Sequence, residues 1–276
     1  MKILQKEPSC FRGTFRPQRG RLPRQLFTFH YSLFTCSTVG YYNVEVKAGK
    51  YNLIAINIDP VSEKTYTLDE LFPADTANIK TTSGGTAGAA DQLRTWDVEN
   101  QSFNYYYRFY KKMGGGEKNW HWVNQDDDSL ATEKLKAGDS VFYYALSVDQ
   151  THSVPGQVPN SASGILKKGY NMISVGFPAR WNPNDEGVDF WKDTEKWTAG
   201  GTAGAADEIR YWDSVNQVYK YYYLFYKKMG GGDKNYKWVD SDTDEILTEA
   251  LEVGNGFFFI RKADGEIPFT PNLKLN

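Results

Sequence analysis

Side chains able to carry covalent, acid–base or metal chemistry are sparse and scattered in this 276-residue chain. It has three histidines, His30, His121 and His152, and two cysteines, Cys10 and Cys36. Both cysteines precede residue 38, so the rest of the chain can form no internal disulfide and offers no thiol nucleophile or cysteine zinc ligand. His121 is replaced by Lys237 in an internal repeat, and His152 falls in a polar linker. The expectation is solvent-facing histidines, no catalytic residue, no bound metal and no cofactor.

Carboxylates are more plentiful. Asp240-Ser241-Asp242-Thr243-Asp244-Glu245 alternates them like the start of a calcium loop, and Asp126, Asp127 and Asp128 occupy corresponding ground. The glycine expected after the third ligand is missing, and Leu251 stands where the bidentate glutamate should be. A solvated acidic turn is the expected outcome. Asp and Glu form no pair whose spacing marks a carboxylate hydrolase.

Aromatic rings supply the remaining chemistry. The chain holds 19 Tyr, 16 Phe and 8 Trp. Rings that face outward can stack on sugar faces, and two sets stand among basic side chains. Arg94, Trp96, Tyr106 and Tyr110 form one candidate ligand-binding platform, and Arg210, Trp212, Tyr222 and Tyr226 the other. The same rings also suit core packing and cross-strand pairs.

The two sets arise because the chain repeats itself. Gly84 to Val123 returns as Gly200 to Val239 without a gap, and 28 of the 40 positions are identical, which marks a duplicated structural unit. Each copy begins with a small-residue loop that lacks the order and the lysine of a phosphate-binding loop. A hairpin follows. Gln92 to Trp96 (Glu208 to Trp212) forms its first strand, Asp97 to Gln101 (Asp213 to Gln217) its turn, and the tyrosine run its return strand. Alternation places Phe103, Tyr105, Tyr107 and Phe109 on one face, taken as the core face, with Asn104, Tyr106, Arg108 and Tyr110 opposite. After a GGG turn comes a short strand ending at Val123 or Val239. The runs Val141 to Leu146 and Gly256 to Ile260 are apolar without alternation, which predicts strands covered on both sides.

Outside the repeat, Gly40 to Val46 reads as a leading strand, and Tyr51 to Ile58 matches Tyr170 to Phe177. Thr67 to Pro73 reads as one capped helical turn. Residues 185–197 take its place in the second copy, and this divergence suggests a surface excursion. The predicted fold is all-β: two tandem homologous β-sandwich or barrel-like modules with short helical turns, residues 38–153 and 154–276, behind a basic segment 1–37.

Seven basic residues against Glu7 give that head a charge of +6, leaving -8 on the remainder. An acidic body argues against nucleic acid as a partner. Leu26 to Ser37 has the length of a signal h-region but is interrupted by His30 and Ser32, and no run suits a transmembrane helix.

The strand GYNMISVGFP at 169–178, the Trp-Asp turn with its aromatic return strand, and the closing GNGFFFIRK at 254–262 carry a family resemblance. They resemble the repeated β-modules of uncharacterised exported proteins from verrucomicrobial, lentisphaeral and related bacteria, in which G-[YW]-N-[LM]-I-S opens a module and G-x-GFF closes it. The likeness spans residues 38 to 276. The first copy departs from it with KYNLIAINI and with Asp139-Ser140 in place of the closing glycine. The resemblance implies a secreted or cell-surface protein without enzymatic activity, structural or adhesive, whose partner is a protein or polysaccharide at the cell surface or another copy of itself. Carbohydrate binding through exposed aromatic rings is the alternative.

Overall fold

The computed structural model describes residues 39–61, 65–74, 81–159 and 164–271. The basic head 1–37, with both cysteines, His30 and the signal-like stretch, lies outside the described residues. The fold is all-β. The first repeat contributes β1 (Val39–Val46), β2 (Tyr51–Ala55), β3 (Tyr66–Thr67), α1 (Leu68–Leu71), β4 (Gln92–Asp97), β5 (Ser102–Arg108), β6 (Trp122–Asn124), β7 (Lys134–Leu135), β8 (Ser140–Tyr144) and β9 (Gln150–Gln157). The second contributes β10 (Gly164–Leu166), β11 (Gly169–Ile173), α2 (Val188–Trp191), β12 (Glu208–Asp213), β13 (Val218–Phe225), β14 (Lys237–Asp240), β15 (Phe257–Arg261) and β16 (Ile267–Phe269).

Each repeat builds a five-stranded antiparallel sheet in the same order, β2-β8-β4-β5-β6 and β11-β15-β12-β13-β14. The apolar runs become β8 and β15, each inside its sheet and almost wholly buried, as strands without alternation should be. One face of the first sheet carries Ile54, Leu93, Tyr106, Trp122 and Tyr143. The β1–β9 ribbon covers it with Tyr42, Val44, Val46 and Val154, and α1 adds Leu68 and Leu71. That single turn of helix is held by a complete capping box, the Thr67 hydroxyl accepting from the Glu70 N–H while the Glu70 carboxylate accepts from the Thr67 N–H. In the second repeat the short β10–β16 ribbon supplies Leu166, Ile267 and Phe269.

Three expectations change here. Residues 185–197 are not a surface excursion, because Trp191 and Trp197 are 1% and 2% exposed and lie in the second core. The sheet face beneath them is apolar and must be covered, and the shorter ribbon leaves more of it to fill. Residues 154–158 do not open the second repeat, since β9 crosses the expected 153/154 boundary and pairs with β1 from Val39↔Gln157 to Val46↔Gln150. Its Ser and Pro residues point outward while Gln150, His152 and Val154 point in. The face of β5 taken as the core side is the other one: Tyr106 and Arg108 face the repeat's own core, and Phe103 faces away from it.

That second face is the junction between the repeats. Leu53 and Phe142 of one sheet meet Met172, Phe258 and Ile260 of the other, with Phe103, Trp96, Tyr219 and Trp212 packed around them. The sheets also exchange backbone bonds at their edges. Ala55 N–H donates to Gly254 O at 2.9 Å, and Ser174 N–H donates to Gly138 O at 2.7 Å. Gly138 and Gly254 are equivalent positions, so the lead-in to each inner strand pairs with the edge strand of the other repeat.

The departure from the closing glycine is explained at this junction. Gly256 stands where the first repeat has Ser140, and the two positions face each other: a Cβ on Gly256 would lie 2.5 Å from the Ser140 Cβ and 3.1 Å from Leu53 Cγ. Only one of the pair can bear a side chain. Gly256→Ala is expected to destabilise the chain by about 1–3 kcal/mol in urea unfolding, and adding Ser140→Gly should recover part of that loss. An unchanged midpoint in the single variant would refute the close approach.

Candidate functional site

The structure does not bring the eight predicted platform residues together. In the β4–β5 ladder Leu93 faces Tyr106, whereas Arg94 faces Tyr105 and Trp96 faces Phe103. Arg94 and Trp96 therefore share one side of the sheet and Tyr106 lies on the other, because neighbours on a strand point to opposite faces. Tyr106 and Tyr222 are both 6% exposed and belong to the two cores. Burial, with Glu133 next for Tyr106 and Asp240 for Tyr222, raises both phenols well above the ordinary tyrosine range.

Trp96 and Trp212 sit at the junction. Trp96 Nε1 donates to the Tyr170 carbonyl at 2.8 Å, and Trp212 Nε1 to the Tyr51 carbonyl at 2.7 Å. Beside them the Gln101 amide accepts from Tyr170 N–H at 2.7 Å and donates to its carbonyl at 3.1 Å. Gln217 does the same to Tyr51, at 2.9 and 3.0 Å. Arg94 lies between Tyr51 and Tyr105, and Arg210 between Tyr170 and Tyr221. Six of the eight predicted residues thus hold the fold.

Tyr110 and Tyr226 remain, and each belongs to a surface feature that periodicity could not pick out. Tyr110 stacks on Trp120 with ring centres 4.4 Å apart, and Tyr226 on Tyr236 at 4.9 Å, both tilted by 36°. Between the members of each pair runs an identical loop, Lys-Lys-Met-Gly-Gly-Gly. The Asn119 side chain spans its base, accepting from Lys111 N–H at 2.8 Å and donating to Lys111 O at 3.1 Å, and Asn235 repeats this with Lys227. A Cβ on Gly115 or Gly231 would lie 2.0 Å from that asparagine's Oδ1, and the flanking glycines have φ between 51° and 80°. Trp120 and Tyr236 also have positive φ, 72° and 60°, an unfavourable conformation for a bulky residue. Met113 and Met229 cap the tips and are 88% exposed in both. The sequence signal that could have found them is the identity of the two copies at positions where packing demands none.

The acidic loops use their carboxylates on themselves. Asp240 Oδ1 accepts from the N–H groups of Asp242 and Thr243 at 2.9 and 3.0 Å, and Asp244 accepts from the Tyr223 hydroxyl at 2.5 Å. Asp128 accepts from Tyr107 in the same way. Among the described residues no three His, Cys, Asp or Glu side chains are grouped to hold a metal ion.

A buried polar network in the first core overturns the expectation of solvent-facing histidines. His121 is exposed and bonded to Asp69 at 3.0 Å, but His152 is 0% exposed. Its Nε2 lies 2.9 Å from Gln150 Oε1, which also accepts from the Tyr143 hydroxyl at 2.9 Å. Gln150 Nε2 donates to Asp91 Oδ2 at 2.8 Å. Arg108, also 0% exposed, donates to Asp69 at 2.7 Å, to the carbonyls of Trp120 and Phe72, and packs on the Trp122 ring. The second repeat has Leu224 and Phe259 where the first has Arg108 and Tyr143, and there Asn184 accepts from the Trp238 N–H. Comparison with family models, curated proteins and solved structures returned no match.

His152 makes folding pH-dependent. Burial first, and the Arg108 charge second, push its imidazole down to about 4, against about 6.5 when unfolded. Between those values the unfolded chain takes up a proton that the folded chain refuses. The stability held by the neutral ring is complete above pH 6.5 and is lost as the pH falls towards 4, by about 3 kcal/mol. Asp139 and Asp207, raised to about 6 by burial, act in the opposite sense and lose their contribution as the pH rises to 6. The difference between the native chain and His152→Gln isolates the histidine: its urea midpoint should fall relative to the variant between pH 6.5 and 4. Parallel profiles would contradict the buried, neutral ring.

Proposed function

We propose that this chain is a non-enzymatic structural or adhesive protein, exported or displayed at a cell surface, that associates with protein surfaces and with further copies of itself through its two tips. The observation that carries the reading is the repetition of one rigid tip, Tyr110 to Trp120 and Tyr226 to Tyr236, with a fully projecting methionine in each. Folding requires the glycines and asparagines of these loops, and Lys111 and Lys227 lie over the Phe109 and Phe225 rings, but it gives no reason for Met113 or Met229. Methionine adapts to irregular apolar surfaces, and a loop already fixed in shape loses little entropy on binding. Strained aromatic positions at its base mark a conformation that the surroundings impose.

Two equal tips on one chain make it bivalent. Linked bivalent units propagate into open assemblies rather than closing as pairs, which is the behaviour of matrix and surface material. Export is supported by the resemblance of the strand and turn motifs to exported β-module proteins. No helix among the described residues is long and apolar enough to cross a membrane.

Light scattering across a concentration series tests the reading. The native chain is expected to grow in mean mass with concentration, Met113→Ser or Met229→Ser alone to stop near pairs, and the double variant to remain monomeric. A native chain that is monomeric throughout, or a double variant that assembles equally well, would overturn it.

A further inference from the structure

A cleft of about 510 Å³ opens on the second repeat beside Tyr211, within the size range of small-molecule sites. We propose that it binds a short, uncharged oligosaccharide. One wall is the half-buried Tyr211 ring, packed against the second core and fixed by a hydrogen bond in which Asn255 Nδ2 donates to its hydroxyl at 2.6 Å. Burial raises the Tyr211 phenol, with Asn255 opposing it, so the ring stays neutral and its hydroxyl protonated at physiological pH.

The rim carries polar groups of both signs. Arg180 Nε donates to Glu252 Oε2 at 2.8 Å, and a second guanidinium nitrogen bonds the other carboxylate oxygen. Lys220 Nζ stands 3.8 Å from Glu249 on another side. With Asp213 the lining holds two positive and three negative side chains, a balance that attracts neither a polyanion nor a polycation. Each Arg or Lys stands beside a carboxylate, so the rim presents donors next to acceptors. A pyranose fits that pattern: its C–H face covers an aromatic ring, and its hydroxyls both donate and accept at closely spaced positions.

The feature belongs to the second repeat alone. Thr95 stands in place of Tyr211 and is 1% exposed, with Asn104, Lys136 and Asp139 in place of Lys220, Glu252 and Asn255. Without the ring and the Arg180–Glu252 arm, the first repeat presents neither the wall nor the rim. The site is separate from the tips, so sugar binding and self-association can fail independently.

The test is titration of the full chain with chitotriose, cellotetraose, maltotetraose and xylotetraose, read by calorimetry and by amide shifts. At least one should bind saturably, with shifts at Tyr211, Lys220 and Asn255. Tyr211→Ala should weaken it about tenfold or more, while Tyr211→Phe retains most of the affinity. Should Tyr211→Ala fail to fold, the exposed pair Lys220→Ala and Glu249→Gln is expected to weaken binding several-fold, with the exposed Val61→Ser, outside cleft and tips, as an unaffected control. Absence of saturable binding to all four sugars overturns the proposal, as does binding that the Tyr211 and rim variants leave unchanged.

Discussion

Trp96 and Trp212 each place an indole N–H on a carbonyl at the start of the other repeat's edge strand, Tyr170 of β11 and Tyr51 of β2, and the neighbouring glutamines bond both backbone groups of the same residues. An antiparallel sheet with two apolar faces needs two covers. Here the ribbon and the divergent connection make one cover, and the other repeat's sheet makes the second. The reciprocal seating also resolves the edge strands: β2 and β11 would present free backbone groups, and each is paired by the lead-in to the other repeat's inner strand. Duplication in this chain is therefore more than two beads on a thread. Each copy completes the burial of the other, and Gly256 facing Ser140 shows where the two may not be identical.

Much of this was legible in the sequence. The hairpin of β4 and β5, the covered strands β8 and β15 and the capped turn after Thr67 follow from alternation, uninterrupted apolar runs and the Thr-x-x-Glu spacing. The choice of core face on β5 was not. Alternation separates an inner from an outer face only when one of them meets water, and here Tyr106 meets its own core while Phe103 meets the other sheet. Aromatic residues stand on both sides, so the pattern has no polarity. His152 escapes the pattern for a related reason: Ser153, Pro155 and Gly156 resemble a linker, but a ribbon needs only every second residue to be apolar or paired, and the inward positions suffice. The platform residues are the least legible, because tryptophan beside arginine reads alike whether it meets a sugar or a second sheet.

The halves also differ where they are hidden. Arg108 and Asp69 place a charged pair at the point where Leu224 and Asn184 give the second repeat an apolar side chain and a neutral amide. Both Asp69 and Asn184 accept from the backbone N–H of the equivalent tryptophan, Trp122 or Trp238, so the local backbone is the same with or without the charge. A buried guanidinium must be compensated by several acceptors, and the first repeat supplies a carboxylate and two carbonyls. Its core is consequently the more demanding of the two: Arg108 Nε and His152 Nδ1 are buried without a hydrogen-bond partner among the described residues, and the arrangement holds only while His152 keeps its neutral form.

At the tips the copies agree instead, and this separates a surface that folding explains from one that it does not. Core packing tolerates exchange of Arg108 for Leu224 and of Tyr143 for Phe259 between the copies, yet the tips repeat Lys-Lys-Met-Gly-Gly-Gly unchanged. Glycine at 115 and 231 is required by the asparagine beneath it, and the positive φ of the flanking residues accounts for their glycines. Nothing beneath Met113 or Met229 accounts for them, since both are almost wholly in solvent. Exposing a methionine on a fixed loop forgoes the burial its side chain would gain in a core, of order 1.5–3 kcal/mol. An interface that covers the tip recovers that burial, and because the loop is already ordered the recovery is offset by little conformational entropy. Rigid tips and a projecting thioether thus form one physical device, and both halves carry it.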